Sequence, residues 1–152
     1  YKPHMPTHAE KRRLPHSPEQ MFDLVSDVEK YPEFLPWCVA TRIRGREEGE
    51  TGDTITADMV IGYKMFRERF TSKVILDRPG MRIDVAYSEG PFRYLNNHWL
   101  FLEDGDGTIV DFYVDFEFRS RLLQKLIGAV FNEAVKIMVH AFEKRALKIY
   151  GP

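Results

Sequence analysis

The sequence predicts an α+β domain in which a curved, seven-stranded antiparallel sheet wraps one long C-terminal helix. Three observations carry that prediction. Thr108 to Arg119 alternates strictly, with Val110, Phe112, Val114, Phe116 and Phe118 on one face and Asp111, Tyr113, Asp115 and Glu117 on the other. That is the period of a half-buried strand. A helical pattern follows at once, from about Ser120 to Tyr150, and is apolar on more than one side. The connections between the preceding strand runs are short, so sequential strands pair antiparallel. The sheet's apolar face then needs a cover, and the last helix, about 45 Å long at 1.5 Å per residue, is the one element of sufficient length.

Each element has a local reason. Thr7 to Leu14 reads as a modest polar strand. In Ser17-Pro18-Glu19-Gln20, Ser17 caps a helix, Pro18 suits its first turn and Gln20 completes a capping box. Met21, Phe22, Leu24, Val25 and Val28 give that helix its buried face. Pro32 and Pro36 reduce Tyr31 to Trp37 to a short turn or broken helix. Val39 to Glu47 and Asp53 to Ile61 are strands joined across Gly49-Glu50-Thr51-Gly52. Phe66 to Asp77 is a longer strand, and Arg78-Pro79-Gly80 turns the chain into Met81 to Ser88. Gly90-Pro91 opens a loop leading to Asn96 to Glu103, and Asp104-Gly-Asp-Gly107 is a hairpin signal into the last strand. If those four residues form the loop, Glu103 pairs with Thr108, Phe101 with Val110 and Trp99 with Phe112, all on one face.

Composition narrows the function classes. The 152 residues fit one domain, taken as 6–151. Residues 1–5, where Tyr1-Lys-Pro-His precedes Met5, read as a leader or remnant. A net charge of −1 sets no global field toward nucleic acid. The lone Cys38 excludes an internal disulfide and a thiolate-rich metal site, fits a reducing compartment, and is taken as a small apolar filler. No run of eighteen apolar residues exists to span a membrane. The five histidines are scattered, so no metal site is expected.

Several groups carry two readings. The aromatic face of the last strands is either solid core or the wall of a cavity. The helix favours the second, because Leu122, Leu123, Leu126, Ile127, Val130 and Phe131, then Ala134, Val135, Ile137, Met138, Ala141 and Phe142, exceed a single stripe. Gly128 and Ala129 add room. Glu68 falls by parity on the apolar face of its strand, where an unpaired carboxylate is costly. It is either a polar contact for a ligand or, if the strand starts late or bulges, a solvated rim residue. Phe34, Leu35 and Trp37, and Phe92 with Leu95, sit in Pro-containing loops as either packing or a membrane-facing rim. Arg42, Arg44, Arg46, Arg67, Arg69 and Lys73 recur at period two. They are either a face for RNA or anionic lipid, or a solvated face balanced by Asp111, Asp115 and Glu117.

Three segments carry a family resemblance. Asp27-Val-Glu-Lys-Tyr-Pro-Glu-Phe-Leu-Pro-Trp-Cys38 resembles the D-V-x-x-Y-P-x-F-L-P-W-C segment of the START-type lipid-transfer superfamily. Gly90-Pro-Phe-Arg-Tyr-Leu-Asn-Asn-His-Trp-Leu-Phe101 resembles the G-P-F-x-x-L-x-x-x-W-x-F segment of its coenzyme Q-binding branch. Phe116-Glu-Phe-Arg-Ser120 and Ala141-Phe-Glu-Lys-Arg-Ala146 with Tyr150-Gly151 are similar to that branch too. The resemblance runs over nearly the whole chain from Met5. It implies a helix-grip fold with a deep cavity for ubiquinone or a related isoprenoid lipid, held as cargo by a quinone chaperone or carrier supporting respiration without catalysis. The expected cavity wall is Phe66, Glu68, Phe70, Trp99, Phe101, Phe112, Val114 and Phe116 with Leu123, Ile127, Val130 and Phe131. The expected partners are an isoprenoid quinone and, weakly and transiently, a membrane surface. The corresponding location is the cytoplasm or the cytoplasmic face of a bacterial inner membrane, or the matrix side of the mitochondrial inner membrane in a eukaryote. The same superfamily offers two rivals, a ribosome-associated growth inhibitor and a polyketide cyclase or aromatase.

Overall fold

The computed structural model describes residues 7–152, so the reading of residues 1–5 as a leader or remnant lies outside the described residues. Seven strands form one sheet in the order β1-β7-β6-β5-β4-β3-β2, every pair antiparallel. They are β1 (Thr7–Leu14), β2 (Cys38–Glu47), β3 (Thr54–Tyr63), β4 (Phe66–Asp77), β5 (Arg82–Glu89), β6 (Phe92–Asp104) and β7 (Gly107–Phe118). Between β1 and β2 lie α1 (Pro18–Ser26), a 3₁₀ turn (Val28–Lys30) and the single turn α2 (Tyr31–Phe34). The chain closes with α3 (Arg121–Tyr150), 30 residues long.

The local signals act as their chemistry requires. The Ser17 hydroxyl accepts from the Gln20 N–H at 3.1 Å, and Gln20 Oε1 accepts from the Ser17 N–H at 3.0 Å, closing the capping box of α1. Ser120 caps α3 by accepting from the Leu123 N–H. The β6–β7 hairpin pairs Glu103 with Thr108, Phe101 with Val110 and Trp99 with Phe112. Asp104 pairs with Gly107, so the turn proper is Gly105-Asp106, with Gly105 at φ +61°. β6 starts at Phe92, not Asn96. Its first residues are held by a bulge between Phe92 and Tyr94 and by the Arg119 N–H donating to the Pro91 carbonyl.

The core fills the hollow between sheet and helix. Phe92 stacks on Phe118 at 4.6 Å and meets Phe116 edge-on at 5.5 Å. Trp99 packs against Phe112 at 4.6 Å and Phe142 at 5.1 Å, so β6, β7 and α3 share one aromatic seam. The far end is closed by polar ties. The Thr108 hydroxyl, fully buried, donates to the His16 carbonyl at 2.6 Å, and the Tyr150 hydroxyl donates to the Gln20 carbonyl.

α3 uses less of its apolar surface than its sequence predicts. Leu123, Phe131, Val135, Val139, Phe142 and Ala146 are buried along one stripe. Leu122 and Ile137 are exposed, at 68% and 49%. Gly128 and Ala129 face outward as well, and a Cβ on Gly128 would meet nothing within 4 Å. Successive residues turn by about 100°, so Leu122 cannot share the face of Leu123. The room inside comes from the curvature of the sheet and from small inward residues such as Ala57, Ser72 and Ala134, not from Gly128 and Ala129.

Candidate ligand-binding cavity

A cavity of about 310 Å³ lies between the inner face of β3–β7 and the N-terminal two-thirds of α3. Its deep end is walled by the buried Val25, Val28 and Ile83. Its other end reaches the edge of the sheet, where the half-buried Trp37, Tyr63 and Phe66 line it beside Phe118 and Leu123. That end is the mouth.

Phe66, Glu68, Phe70, Trp99, Phe112, Val114, Phe116, Leu123, Ile127, Val130 and Phe131 all border this space. Phe101 does not. It is 2% exposed and packs behind Trp99, edge-on to Phe22 at 6.0 Å. It therefore belongs to the solid core between β6 and α1. Wall residues missed by pattern reading include Ala57, Met59 and Ile61 of β3, which alternate inward; Ile55 shares their parity but borders the second cleft instead. Their period-two signal is present, with Asp58 at an outward position, but is blurred by the apolar Val60 on the outward parity.

The loop aromatics have a different place from the one expected. Phe92 and Leu95 lie within β6; Phe92 is buried, and both line the cavity. Leu35 is buried and lines it too. Phe34 packs against Tyr31 and Phe142 with the Arg145 guanidinium over its ring, away from the cavity wall. Of the five expected rim residues, Trp37 alone stays part-exposed at the mouth; Phe92 lies at that end as well, but buried against Phe118. The φ of Trp37 is +66°, its carbonyl accepts from the Gly62 N–H at 2.9 Å, and its indole meets Tyr63 edge-on. A bulky residue with this backbone conformation is an outlier held by its surroundings.

The wall carries few polar groups. β4 begins at Phe66 and pairs with β3 without a bulge, Glu68 opposite Ile61, so parity holds and Glu68 faces the cavity near its mouth. Among the described residues its carboxylate has no hydrogen-bond or ion-pair partner. Ser72, four residues deeper on the same face, is 4% exposed and its hydroxyl has no partner. Asn97 on β6 donates from Nδ2 to the Tyr113 carbonyl at 2.9 Å. Burial pushes the Cys38 thiol up to about 11, which keeps it protonated near neutral pH. Burial raises the Tyr31 phenol as well, and that hydroxyl donates to the Val25 carbonyl. A second, charged cleft lies between α1 and the β2–β3 loop. Its ions already satisfy one another, Arg78 with Asp23 at 2.7 Å and Arg46 with Asp53 at 2.8 Å.

The bulge between Ile43 and Gly45 turns Arg46 off the outer face, opposite Ile55 and onto Asp53, and the remaining outer basic residues are not balanced by β7. Asp111, Asp115 and Glu117 stand three strands from β4, about 14 Å at the usual strand spacing. That exceeds the screening length of physiological salt, about 8 Å. Arg44 instead lies near Asp58 and Glu89, and Asp115 takes hydrogen bonds from Asn96 and Tyr113.

A sheet curved around one helix with an apolar interior is matched by the family model described as polyketide cyclase/dehydrase and lipid transport, over residues 14–143. The chain belongs to this family. It is 40% identical over 139 residues to the ribosome association toxin RatA of Rickettsia prowazekii, covering 90% of this chain and 92% of that protein. It is 35% identical over 149 residues to the mitochondrial coenzyme Q-binding protein COQ10 homolog B of Xenopus laevis, covering 95% of this chain and 59% of that protein. The solution structure of an 18 kDa protein from Caulobacter crescentus, 36% identical, matches with a TM-score of 0.81 over 97% of this chain and 100% of the other. The Zhui aromatase/cyclase of Streptomyces, 17% identical, shares the helix-grip fold at a TM-score of 0.79 over 94% of each chain.

Proposed function

We propose that this family member binds an isoprenoid quinone of the ubiquinone type in the cavity and serves as its carrier or chaperone, without catalysing a reaction on it. The observation that carries the reading is the apolar space of about 310 Å³ between sheet and helix. It stands at the lower end of the roughly 300–1,000 Å³ usual for small-molecule sites. Each CH₂ moved into it from water gains about 0.8 kcal/mol, so a water-insoluble tail supplies affinity without polar contacts. The Ser72 hydroxyl and the second Asn97 amide N–H can donate to ring carbonyls, and the Glu68 carboxylate can accept from the hydroxyls of the reduced ring. The name of the COQ10 relative supports the same ligand class. The cyclase reading asks for acid and base groups around a substrate, and a protonated Cys38 with one carboxylate near the mouth is a thin set for that chemistry.

A second reading, ribosome association, is favoured by the 40% identity to RatA and by the cationic outer strands. Purified protein extracted with organic solvent tests the first. A quinone absorbance that changes on borohydride reduction, near one per chain, is expected. Clean protein that repeatedly takes up no isoprenoid quinone from detergent micelles overturns it. Co-sedimentation with ribosomes that fails at raised salt is the signature of the second.

A further inference from the structure

The near-zero net charge conceals an uneven distribution, in which cations at one end of the sheet outnumber the carboxylates Glu68, Glu89, Asp115 and Glu117 there. Antiparallel pairing brings the β3–β4 hairpin, the β5–β6 connection and the β7–α3 junction to the mouth end of the sheet. Lys64, Arg67 and Arg69 stand on the hairpin side of that end, all exposed. Arg93, Arg119, Arg121 and Lys125 stand on the other side, exposed as well. Among the described residues none of these seven is in an ion pair. The opposite end behaves differently. There Arg13, Arg46, Arg78 and Arg82 are each paired with a carboxylate at 2.7–3.0 Å, and Glu47, Glu48, Glu50 and Glu103 add unpaired negative charge.

Two further features mark the mouth. The first turn of α3 holds no acidic residue and begins with Arg121. Cations there oppose the helix dipole, which favours anions at an N-terminus. The arrangement therefore costs stability unless an external anion answers it. In addition, the mouth exposes large apolar side chains among the cations: Met65 at the hairpin tip is 89% exposed and Leu122 is 68% exposed. Apolar tips ringed by unpaired cations match a bilayer's layering, with apolar groups reaching the acyl boundary and cations among anionic headgroups.

We infer that the mouth end is a docking face for a bilayer bearing anionic phospholipids, with Met65 and Leu122 inserted and Lys64, Arg67 and Arg121 among the phosphates. The cavity then opens directly onto the acyl region, so an apolar guest need not cross water. The purpose assigned to this face rests on the lipid-binding reading; its test does not. A ribosomal RNA surface would use the same cations but leave Met65 and Leu122 without a role.

The experiment is flotation of the full chain with vesicles of phosphatidylcholine alone and of phosphatidylcholine mixed with phosphatidylglycerol. Binding to the mixed vesicles, weakened by salt, is expected. Each cation near an anionic surface is worth about fivefold in partitioning, so Lys64→Ser with Arg121→Ser lowers it about 25-fold. Met65→Asp weakens it as well, whereas Glu47→Gln at the far end leaves it unchanged. The double variant melts at the same or a higher temperature, because Arg121 no longer opposes the dipole, and still takes up quinone from micelles. Equal binding to both vesicle types, or binding unaffected by the double variant, overturns the proposal. So does RNA binding that depends on Lys64 and Arg121 but not on Met65. Vesicle binding without quinone uptake would instead remove the cargo reading and leave the docking face standing.

Discussion

Replacing Phe131 and Phe101 by alanine in parallel separates a real cavity from a solid core. Both rings are buried, at 7% and 2% exposure. Phe101 is packed on every side, between Trp99 and Phe22. Phe131 touches Phe116 at 5.0 Å on one flank and borders the cavity on the other. Truncating a phenylalanine in a filled core costs about 3–5 kcal/mol, the sum of lost transfer energy and new void at roughly 24 cal/mol per Å³. Phe101→Ala incurs both parts, about 4 kcal/mol. Phe131→Ala enlarges a space already present, and one flank of the ring has no neighbours to lose, so about 2–3 kcal/mol is expected. Urea unfolding at equilibrium reads the difference as a shift of midpoint at constant slope. Equal costs for the two variants would refute the reasoning, because the space beside Phe131 would then be packed in solution.

Three other outcomes follow from the same geometry. Val130→Lys, on the cavity wall, abolishes quinone uptake while the far-ultraviolet circular dichroism is retained, since a cavity admits water where a core does not; an unfolded variant argues for solid packing. The Cys38 thiol, raised to about 11 by burial, reacts slowly with a disulfide reagent near neutral pH and faster as pH rises through that value. Bound quinone slows it further, because Cys38 lines the cavity; indifference to ligand would place the guest elsewhere. The Arg145 guanidinium, 2.9 Å from Glu33, holds that carboxyl below its usual range. A depressed folded-state value contributes stability above the unfolded-state value and loses it as pH falls through the folded one. The small advantage of wild type over Glu33→Gln in thermal melting is therefore present at neutral pH and gone in acid, and a gap that persists in acid contradicts the assignment.

The strand alternation and capping chemistry made the architecture readable from residues alone. Phe112, Phe116 and Trp99 share a face because period two is fixed by backbone geometry, and Asp104 to Gly107 sets the register that brings them together. What pattern reading missed depends on three-dimensional neighbours. Phe101 has the parity of a wall residue, yet α1 covers it. Gly90-Pro91 reads as the start of a loop, yet the Tyr87 hydroxyl accepting from the Phe92 N–H and the Arg119 Nε donating to the Phe92 carbonyl draw Phe92 into the sheet. Leu122 and Ile137 enlarge the apparent apolar stripe of α3 while facing solvent. The charge asymmetry was hidden because Lys64, Arg93 and Arg121 are far apart in sequence and meet only through the strand order.

β2 is an open edge of the sheet, and its irregularities bear on how the protein behaves at high concentration. Register shifts between Cys38 and Ala40 and between Ile43 and Gly45 interrupt its ladder with β3. Arg42, Arg44 and Arg46 project from the same stretch. A straight, uncharged edge offers a row of free N–H and C=O groups to any extended chain, whereas a bulged one carrying like charges presents no continuous row and repels its own copy. This bulged, charged edge thus guards an open sheet against strand-by-strand aggregation.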